Sequence, residues 1–370
     1  MQINIYLIVF VIFFGLAIAS KDSRKSRIGY ITICSIVLIL VAALRSPEWM
    51  TSMYQKDTMN YKMYFEDAYE TRWEYIWQEI YLRYYENVGD GDIGFVLLNK
   101  IMGLITHDFQ IYSLIVDLIF FVPFGLMLYR YSSNIFHLIF AFVFYIALVQ
   151  TFLLAGARQI FALGFDLMSF LLIADKKRAL AIICFLLGVS IHFSSFLFII
   201  PLLMILLDIQ PRTLKKSHLL CFLLFPIVLL FPNEIIVFMG NAIGMEKYAE
   251  YGESDMQGGA EIFILLIELL SLLCLVGVKK KDLSMDKSLL TLYIMAPLFT
   301  IAAPLIRSNG AMIRVSLYFH IFLVLLVPYA IDCLFKRKQE RLLSYIAAIG
   351  LLSFFTLAGG GMTYYFYWQY

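Results

Sequence analysis

The segment Leu153-Leu154-Ala155-Gly156-Ala157-Arg158-Gln159-Ile160-Phe161-Ala162 places an arginine inside an apolar run that continues to Ala174. An arginine at membrane depth costs about 2.5–3.5 kcal/mol on insertion scales, so it normally faces a wet cavity or a partner. The small residues before it would let a ligand or a neighbouring backbone come close. We therefore predict that Arg158 lines a polar chamber that opens on the outer side of a membrane and receives an anionic, lipid-linked substrate.

The composition excludes an ordinary soluble protein. The 370 residues are 62% hydrophobic with a mean hydropathy of +0.82, whereas average usage is about 45–50% apolar. Apolar runs separated by short charged breaks indicate a polytopic helical membrane protein. The five cysteines form no CxxC motif or Cys/His cluster, so neither a disulfide framework nor a zinc site is expected. No metal, cofactor or nucleic-acid partner is expected.

The predicted fold is all-α, with about twelve transmembrane helices (range about 11–14) in a single integral membrane domain over residues 1–370. The candidate spans are residues 2–19, 28–44, 109–128, 134–152, 157–174, 179–191, 194–208, 219–240, 261–278, 288–306, 315–335 and 342–358. Loops rich in lysine and arginine follow every second span, which places them in the cytoplasm. Positive charge follows the first apolar run instead of preceding it. Both termini are therefore expected outside, and the first span is not a cleavable signal.

Two apolar segments are ambiguous. Residues 93–106 are short and interrupted by Asn99 and Lys100, and a crossing there would put the basic loops on alternating sides. We predict an interfacial or re-entrant helix. Residues 179–208 are too long for one crossing, so we predict that they go out and return, turning near His192. A tilted single helix is the alternative.

The predicted outer loops differ from the inner ones. Residues 45–107 form the longest outer segment, and aromatic residues mixed with charge indicate interfacial or re-entrant helices there. Residues 241–260 form a second outer loop that is acidic and contains glycine, as a mobile lid would be. The aromatic tail 364–370 is expected to anchor at the headgroups, with substrate stacking as the alternative.

The same topology gathers unusual polar residues on the outer side: Arg45, Asp57, Arg158, His192, Arg307 and Arg314. A guanidinium suits a diphosphate, because its planar fork donates paired, charge-assisted hydrogen bonds and it stays protonated. His192 is a candidate base or hydrogen-bond donor.

Each of these residues also has a structural alternative. Arg45, Arg307 and Arg314 could snorkel to headgroups. Asp57 could be a solvated loop acid. His192 could be a satisfied polar side chain at a helix break. Arg158 could form a structural ion pair, with Asp166 two turns along the same helix as its expected partner. Acidic residues within predicted spans support a different class of protein, because such residues mark ion or proton pathways in transporters. These residues are Asp117, Asp166, Glu268 and Asp332.

Five short motifs occur in order along the chain: Arg45 with Asp57-Thr58-Met59-Asn60-Tyr61, Asp92-Ile93-Gly94-Phe95-Val96-Leu97-Leu98-Asn99, Ala157-Arg158-Gln159, Ile191-His192-Phe193-Ser194-Ser195, and Arg314-Val315-Ser316-Leu317-Tyr318-Phe319. Together they resemble the EpsG family of bacterial exopolysaccharide proteins, which is related in role to Wzy-type polymerases. The resemblance extends from Arg45 to about Arg314. It implies an all-helical fold like that of membrane glycosyltransferases.

The resemblance also implies an activity. A glycosyltransferase of this kind would polymerise polyprenyl-diphosphate-linked oligosaccharide repeat units into exopolysaccharide, capsule or O-antigen, without a metal, at the outer face of the bacterial cytoplasmic membrane. Arg158 and Arg314 would hold the diphosphate, and Arg45 and Arg307 would assist. Either His192 or Asp57 would activate the acceptor hydroxyl. Gln159 and Tyr61 would contact the substrate elsewhere.

The expected partners are the lipid-linked oligosaccharide, the lipid bilayer, a chain-length regulator and a flippase. A transporter or flippase of lipid-linked saccharides is the alternative function, although the sequence shows no convincing internal repeat. A membrane acyltransferase is a third possibility, and nothing in the sequence marks a coenzyme A site.

Overall fold

The computed structural model describes residues 3–46, 56–86, 92–207, 211–242, 252, 260–278, 293, 296–358 and 364–369. The regular structure of these residues is helical, so the predicted all-α class is confirmed. The chain forms two compact units, Met1–Leu202 with Leu351–Tyr370, and Leu203–Gly350. The prediction of a single integral membrane domain stays a prediction.

The helices of the first unit, in chain order, are α1 Ile3–Ala19, α2 Arg24–Ala43, α3 Lys56–Glu70, α4 Trp73–Tyr85, α5 Ile93–Gly103, α6 Phe109–Tyr131, α7 Ile135–Phe144, α8 Gln150–Leu154, α9 Ala157–Ala174 and α10 Arg178–Ile191. A π-helical turn joins α7 to α8, and a 3₁₀ helix, Phe193–Phe198, follows α10 and leads into α11, Ile199–Leu206. Polar side chains cap several of these helices, because the first N–H groups of a helix have no partner within it. Asp108, for example, accepts the N–H of Ile111 at the start of α6.

Helix α9, which carries Arg158, is at the centre of the first unit and packs against α6 and α10. A Cβ on Gly164 of α9 would lie 2.5 Å from the Ile119 carbonyl oxygen of α6. Such close backbone approach through small residues is how helices associate where lipid removes most of the hydrophobic driving force. The position of Arg158 is therefore set by a tightly packed helix.

Helices α3, α4 and α5 form a subassembly in the predicted outer segment. Lys100 of α5 is buried, and its Nζ donates to the carbonyl oxygens of Tyr69 (3.1 Å) and Thr71 (2.5 Å) where α3 ends. A cation at a helix C-terminus is favourable because the last carbonyls carry partial negative charge. Helix α5 has eleven residues, about 16 Å, which is too short to cross a bilayer.

The predicted break at His192 is observed. Helix α10 ends at Ile191, and the 3₁₀ helix begins at Phe193. A Cβ on Gly188 would lie 2.9 Å from Ser195 Oγ, although seven residues of continuous helix span about 10 Å. The chain therefore folds back on itself here, and the tilted single helix is excluded.

The second unit contains α12 Pro211–Leu230, α13 Pro232–Ala242, α14 Glu261–Gly277, α15 Ala296–Ala302, α16 Ile313–His320 and α17 Leu323–Leu334, and α18 Lys338–Ala358 begins in it. A buried hydrogen-bond chain connects its helices. His218 Nδ1 contacts Tyr293 Oη (2.8 Å), His218 Nε2 contacts Ser271 Oγ (3.0 Å), and Ser271 Oγ contacts Thr300 Oγ1 (3.0 Å). Hydrogen bonding of this kind keeps polar side chains tolerable at membrane depth.

Five helices are long and apolar enough to cross a membrane, or seven if each of two bent helix pairs counts as one span. This architecture fits a polytopic membrane protein, but it does not confirm twelve spans. Four predicted spans are helices of 17 residues or fewer: Ile3–Ala19, Arg178–Ile191, Phe193–Leu206 and Glu261–Gly277. Residues 279–292, which include the start of another predicted span, lie outside the described residues. The predicted sidedness of the loops and termini stays a prediction.

Candidate functional site

Asp92 is the centre of a polar cluster that joins three separate parts of the chain. Its Oδ2 accepts a hydrogen bond from Arg158 Nη1 at 2.7 Å and lies 3.4 Å from His192 Nδ1. Its Oδ1 accepts the backbone N–H of Phe193 at 3.1 Å. The backbone explains this arrangement. Asp92 directly precedes α5, but its carboxylate makes no hydrogen bond to the first turn of that helix. The helical break after α10 leaves the Phe193 N–H without a partner within the helix, and Asp92 accepts it.

Burial strengthens this cluster. The side chain of Asp92 is 6% exposed and that of Arg158 is 19% exposed. The Arg158 guanidinium carbon also lies 5.9 Å from the centre of the Tyr61 ring and 5.8 Å from that of Phe95. These distances are within the range of cation–π attraction. The guanidinium is therefore held in place by a carboxylate and two rings.

Asp92 and Arg158 both line a cavity of about 380 Å³. Its walls come from α3, α4 and α5, and its remaining lining residues are Tyr64, Asp67, Ala68, Thr71, Ile76, Glu79, Arg83, Phe95, Val96 and Asn99. A cavity of about 300–1,000 Å³ is typical of small-molecule sites. A cavity therefore lies beside Arg158 within the first unit, and its opening on the outer side of a membrane stays a prediction. His192 is joined to this cavity through Asp92.

Arg45 occupies a different, smaller pocket. It shares this pocket with Tyr61, Asp117 and Ala157, and its Nη1 donates to the Ala42 carbonyl oxygen at 2.8 Å. Burial lowers the pKa of the Arg45 guanidinium, and the nearby Asp117 carboxylate opposes this shift. The headgroup alternative does not fit Arg45, because it is buried within the unit.

The aromatic tail covers Arg45. An isolated antiparallel bridge pairs Arg45 with Phe366, and Tyr364 Oη donates to the Val41 carbonyl oxygen at 2.6 Å. Tyr364 is buried, whereas Tyr367 and Trp368 are exposed. Part of the tail is thus a cover over the end of α2, and the two exposed rings remain candidates for the predicted headgroup anchor.

Two further predicted substrate contacts, Tyr61 and Gln159, are not among the residues that line the cavity. Tyr61 is 5% exposed and separates the Arg45 pocket from Arg158. Gln159 is 1% exposed in the first turn of α9 and is not among the residues lining the cavity. The side chain of Asp57, in the first turn of α3, lies outside the described part of the structure. Their roles as base or substrate contacts stay predictions.

Arg307 and Arg314 belong to the second unit. Arg307 ends a 3₁₀ helix, and its Nη1 donates to the Leu229 carbonyl oxygen at 3.2 Å. Arg314 is the second residue of α16 and is half-buried. Their predicted convergence with Arg158 on a diphosphate stays a prediction. The predicted lid at residues 241–260 lies largely outside the described residues.

One expected pairing was wrong, and one important residue was missed. Asp166 is not the partner shown for Arg158, because its two oxygens accept Ser195 Oγ at 2.8 and 2.7 Å. It is eight residues along α9, about 12 Å, beyond the i+3 and i+4 neighbours that side chains on a helix reach. Asp92 takes that place. Its position before an apolar run that begins Ile93-Gly94-Phe95 was the available signal.

Among the residues that the structure describes, no group of three or more His, Cys, Asp and Glu side chains could hold a metal ion. The family model described as the EpsG family matches residues 30–370, nearly the whole chain. No curated protein and no solved structure matches the chain.

Proposed function

The chain belongs to the EpsG family, which indicates a polysaccharide polymerase-type function, and from this premise we propose that it joins polyprenyl-diphosphate-linked oligosaccharide repeat units. In this reaction a sugar hydroxyl of one unit attacks the anomeric carbon of the saccharide on another. The bond from that carbon to the diphosphate oxygen breaks, and polyprenyl diphosphate leaves. The site would face the outer side of the bacterial cytoplasmic membrane.

The observation that carries this proposal is the Asp92 cluster on the cavity wall. The acceptor hydroxyl must lose a proton, and Asp92 with His192 forms a carboxylate–imidazole pair that can accept it. The 3.4 Å separation is long for a hydrogen bond, as is common before substrate binds. Asp92 would thereby orient His192 as well as Arg158.

Arg158 supplies the second requirement, stabilisation of the departing diphosphate. Its guanidinium is preorganised by Asp92, Tyr61 and Phe95. By analogy with oxyanion sites, a preorganised donor of this kind contributes about 2.7–4 kcal/mol to the transition state. Arg45, Arg307 and Arg314 are proposed to add positive charge to the same diphosphate.

The test is chain growth by the purified, full-length protein in lipid nanodiscs with a lipid-linked repeat unit as the only saccharide. Arg158→Lys keeps the charge but loses the planar fork, so product should fall by about 10²-fold or more. Arg130→Lys is the matched control, because Arg130 pairs with Asp175 on the surface of the same unit. Equal activity of both variants would overturn the role of Arg158.

The same purified protein can distinguish the polymerase from the alternative function, a transporter or flippase. In liposomes, movement of the lipid-linked unit between leaflets without longer product would favour a transporter or flippase. Longer product without such movement would support the polymerase.

A further inference from the structure

We infer that the cavity wall formed by α3, α4 and α5 is a sugar subsite that receives an uncharged, hydroxyl-rich sugar and discriminates against a uronic acid. The inference rests on the proposed function, which makes a saccharide the occupant of the cavity. It adds the chemical class of the sugar that lies beside Arg158.

The wall offers hydrogen-bonding groups of both kinds. Carboxylates of Asp67 and Glu79 accept, the Arg83 guanidinium donates, and the Thr71 hydroxyl does both. Tyr64 contributes an aromatic ring with a polar end. Sugar hydroxyls are both donors and acceptors, so each has a complementary group on this wall.

A buried amide at the base of the wall points to a ligand. Asn99 is 1% exposed and lines the cavity. Its Oδ1 accepts the hydroxyl of Tyr112 at 2.9 Å, whereas its NH₂ group has no partner among the described residues. This nitrogen is not among the fully buried atoms that lack a partner, so it keeps some accessible surface. A ligand oxygen in the cavity would satisfy this donor.

The charge of the lining decides which sugar fits. Arg158 is compensated by Asp92 at 2.7 Å, and Arg83 by Glu79 at 2.5 Å. Asp67 has no ion pair within the described part of the chain, so its carboxylate is in excess. A neutral sugar can donate hydroxyl hydrogens to Asp67 in charge-assisted bonds. The carboxylate of a uronic acid would instead meet a like charge, which is how sites exclude a competing ligand.

The inference is tested by binding, without turnover. Saturation-transfer NMR titrations of the full-length protein in nanodiscs would use two probes, methyl N-acetylglucosaminide and methyl glucuronide. The neutral glycoside should bind saturably, and the glucuronide about tenfold more weakly or worse, as expected for one like-charge contact near the surface. Asp67→Asn should reduce this preference to less than about threefold. Glu70→Gln, which removes an acid from the same helix but not from the cavity, should leave it unchanged.

Equal or tighter binding of the glucuronide to the unmodified protein would overturn the inference, and so would an absence of saturable binding by the neutral glycoside. An unchanged preference in a folded Asp67→Asn protein would remove Asp67 from the account. Failure of the proposed function looks different, because chain growth could be absent while both binding results hold. Chain growth without glycoside binding would support the polymerase function and show that the sugar binds at a different site.

Discussion

Two arginine–aspartate pairs in the first unit have nearly the same geometry and very different surroundings. Arg158 donates to Asp92 at 2.7 Å, and Arg130 donates to Asp175 at 2.6 Å. The side chains of the first pair are 19% and 6% exposed, whereas those of the second are 33% and 44% exposed. Distance alone therefore does not distinguish them.

What differs is the number of groups that depend on the pair. Asp92 also holds the His192 ring and the Phe193 N–H, so it fixes the end of α10 relative to α5. Asp175 lies just beyond α9, exposed to screening by solvent and salt. Buried pairs with further hydrogen bonds are costly to break, whereas exposed ones contribute little.

The largest expected effect comes from breaking the buried pair. Arg158→Ala should leave the Asp92 carboxylate buried without its counter-charge, at a cost of about 3–5 kcal/mol, and should abolish chain growth. The Arg158→Ala, Asp92→Ala double variant should be less destabilised than the sum of the two single variants. Thermal unfolding in detergent measures both, and additive losses would show that the two side chains are energetically independent.

The next effect concerns the support of the cavity wall. Lys100→Met keeps the length and apolar stem of the side chain but removes both hydrogen bonds to the α3 carbonyls. We expect a loss of about 1.5–3 kcal/mol, as for hydrogen bonds to charged groups, and weaker binding of the neutral glycoside. For stability alone, Arg83→Met on α4 is the comparison, because its salt bridge to Glu79 is half-exposed. Glycoside binding is not compared in this variant, because Arg83 lines the cavity. A Lys100→Met protein as stable as the unmodified chain would contradict this account.

A smaller effect should follow from adding one methyl group where α5 meets α10. A Cβ on Gly94 would lie 2.6 Å from the carbonyl carbon of Ser190, so Gly94→Ala should separate the helices and cost about 1–3 kcal/mol. Chain growth should fall with it, because Asp92 would move away from His192. Gly29→Ala has open space, and it should be neutral or stabilise α2 by about 0.5–1 kcal/mol. The two variants can be compared by thermal unfolding, and a stable, active Gly94→Ala protein would show that the interface tolerates separation.

The smallest effect is expected at the exposed pair. Arg130→Ala should cost no more than about 0.2–1 kcal/mol and leave chain growth unchanged, and the loss should shrink as salt is raised. Unfolding temperatures at low and high salt check this. A loss as large as that of Arg158→Ala would mean that burial does not explain the difference between the pairs.

Much of the fold could be predicted from local patterns. The length of apolar runs and the basic breaks between them indicated a helical membrane protein, and the thirty-residue run at 179–208 required the turn that is found at His192. Arg158 was identified because a lone cation in an apolar run needs a partner. These signals lie within one segment of sequence each.

The partner itself could not be found in this way. Asp92 is 66 residues from Arg158, and only the packing of α5 against α10 brings it close. Periodicity along α9 pointed to Asp166 instead, which bonds Ser195 across the fold-back. In the sequence, Lys100 likewise interrupts an apolar segment. In the structure, its ammonium group donates a hydrogen bond to a backbone carbonyl oxygen at the end of α3.

The bridge between Arg45 and Phe366 has a consequence for how the protein is made. The first unit includes residues 351–370. The ribosome must therefore synthesise the whole second unit before the aromatic tail can cover Arg45. Until then the newly inserted α2 ends in an uncovered guanidinium.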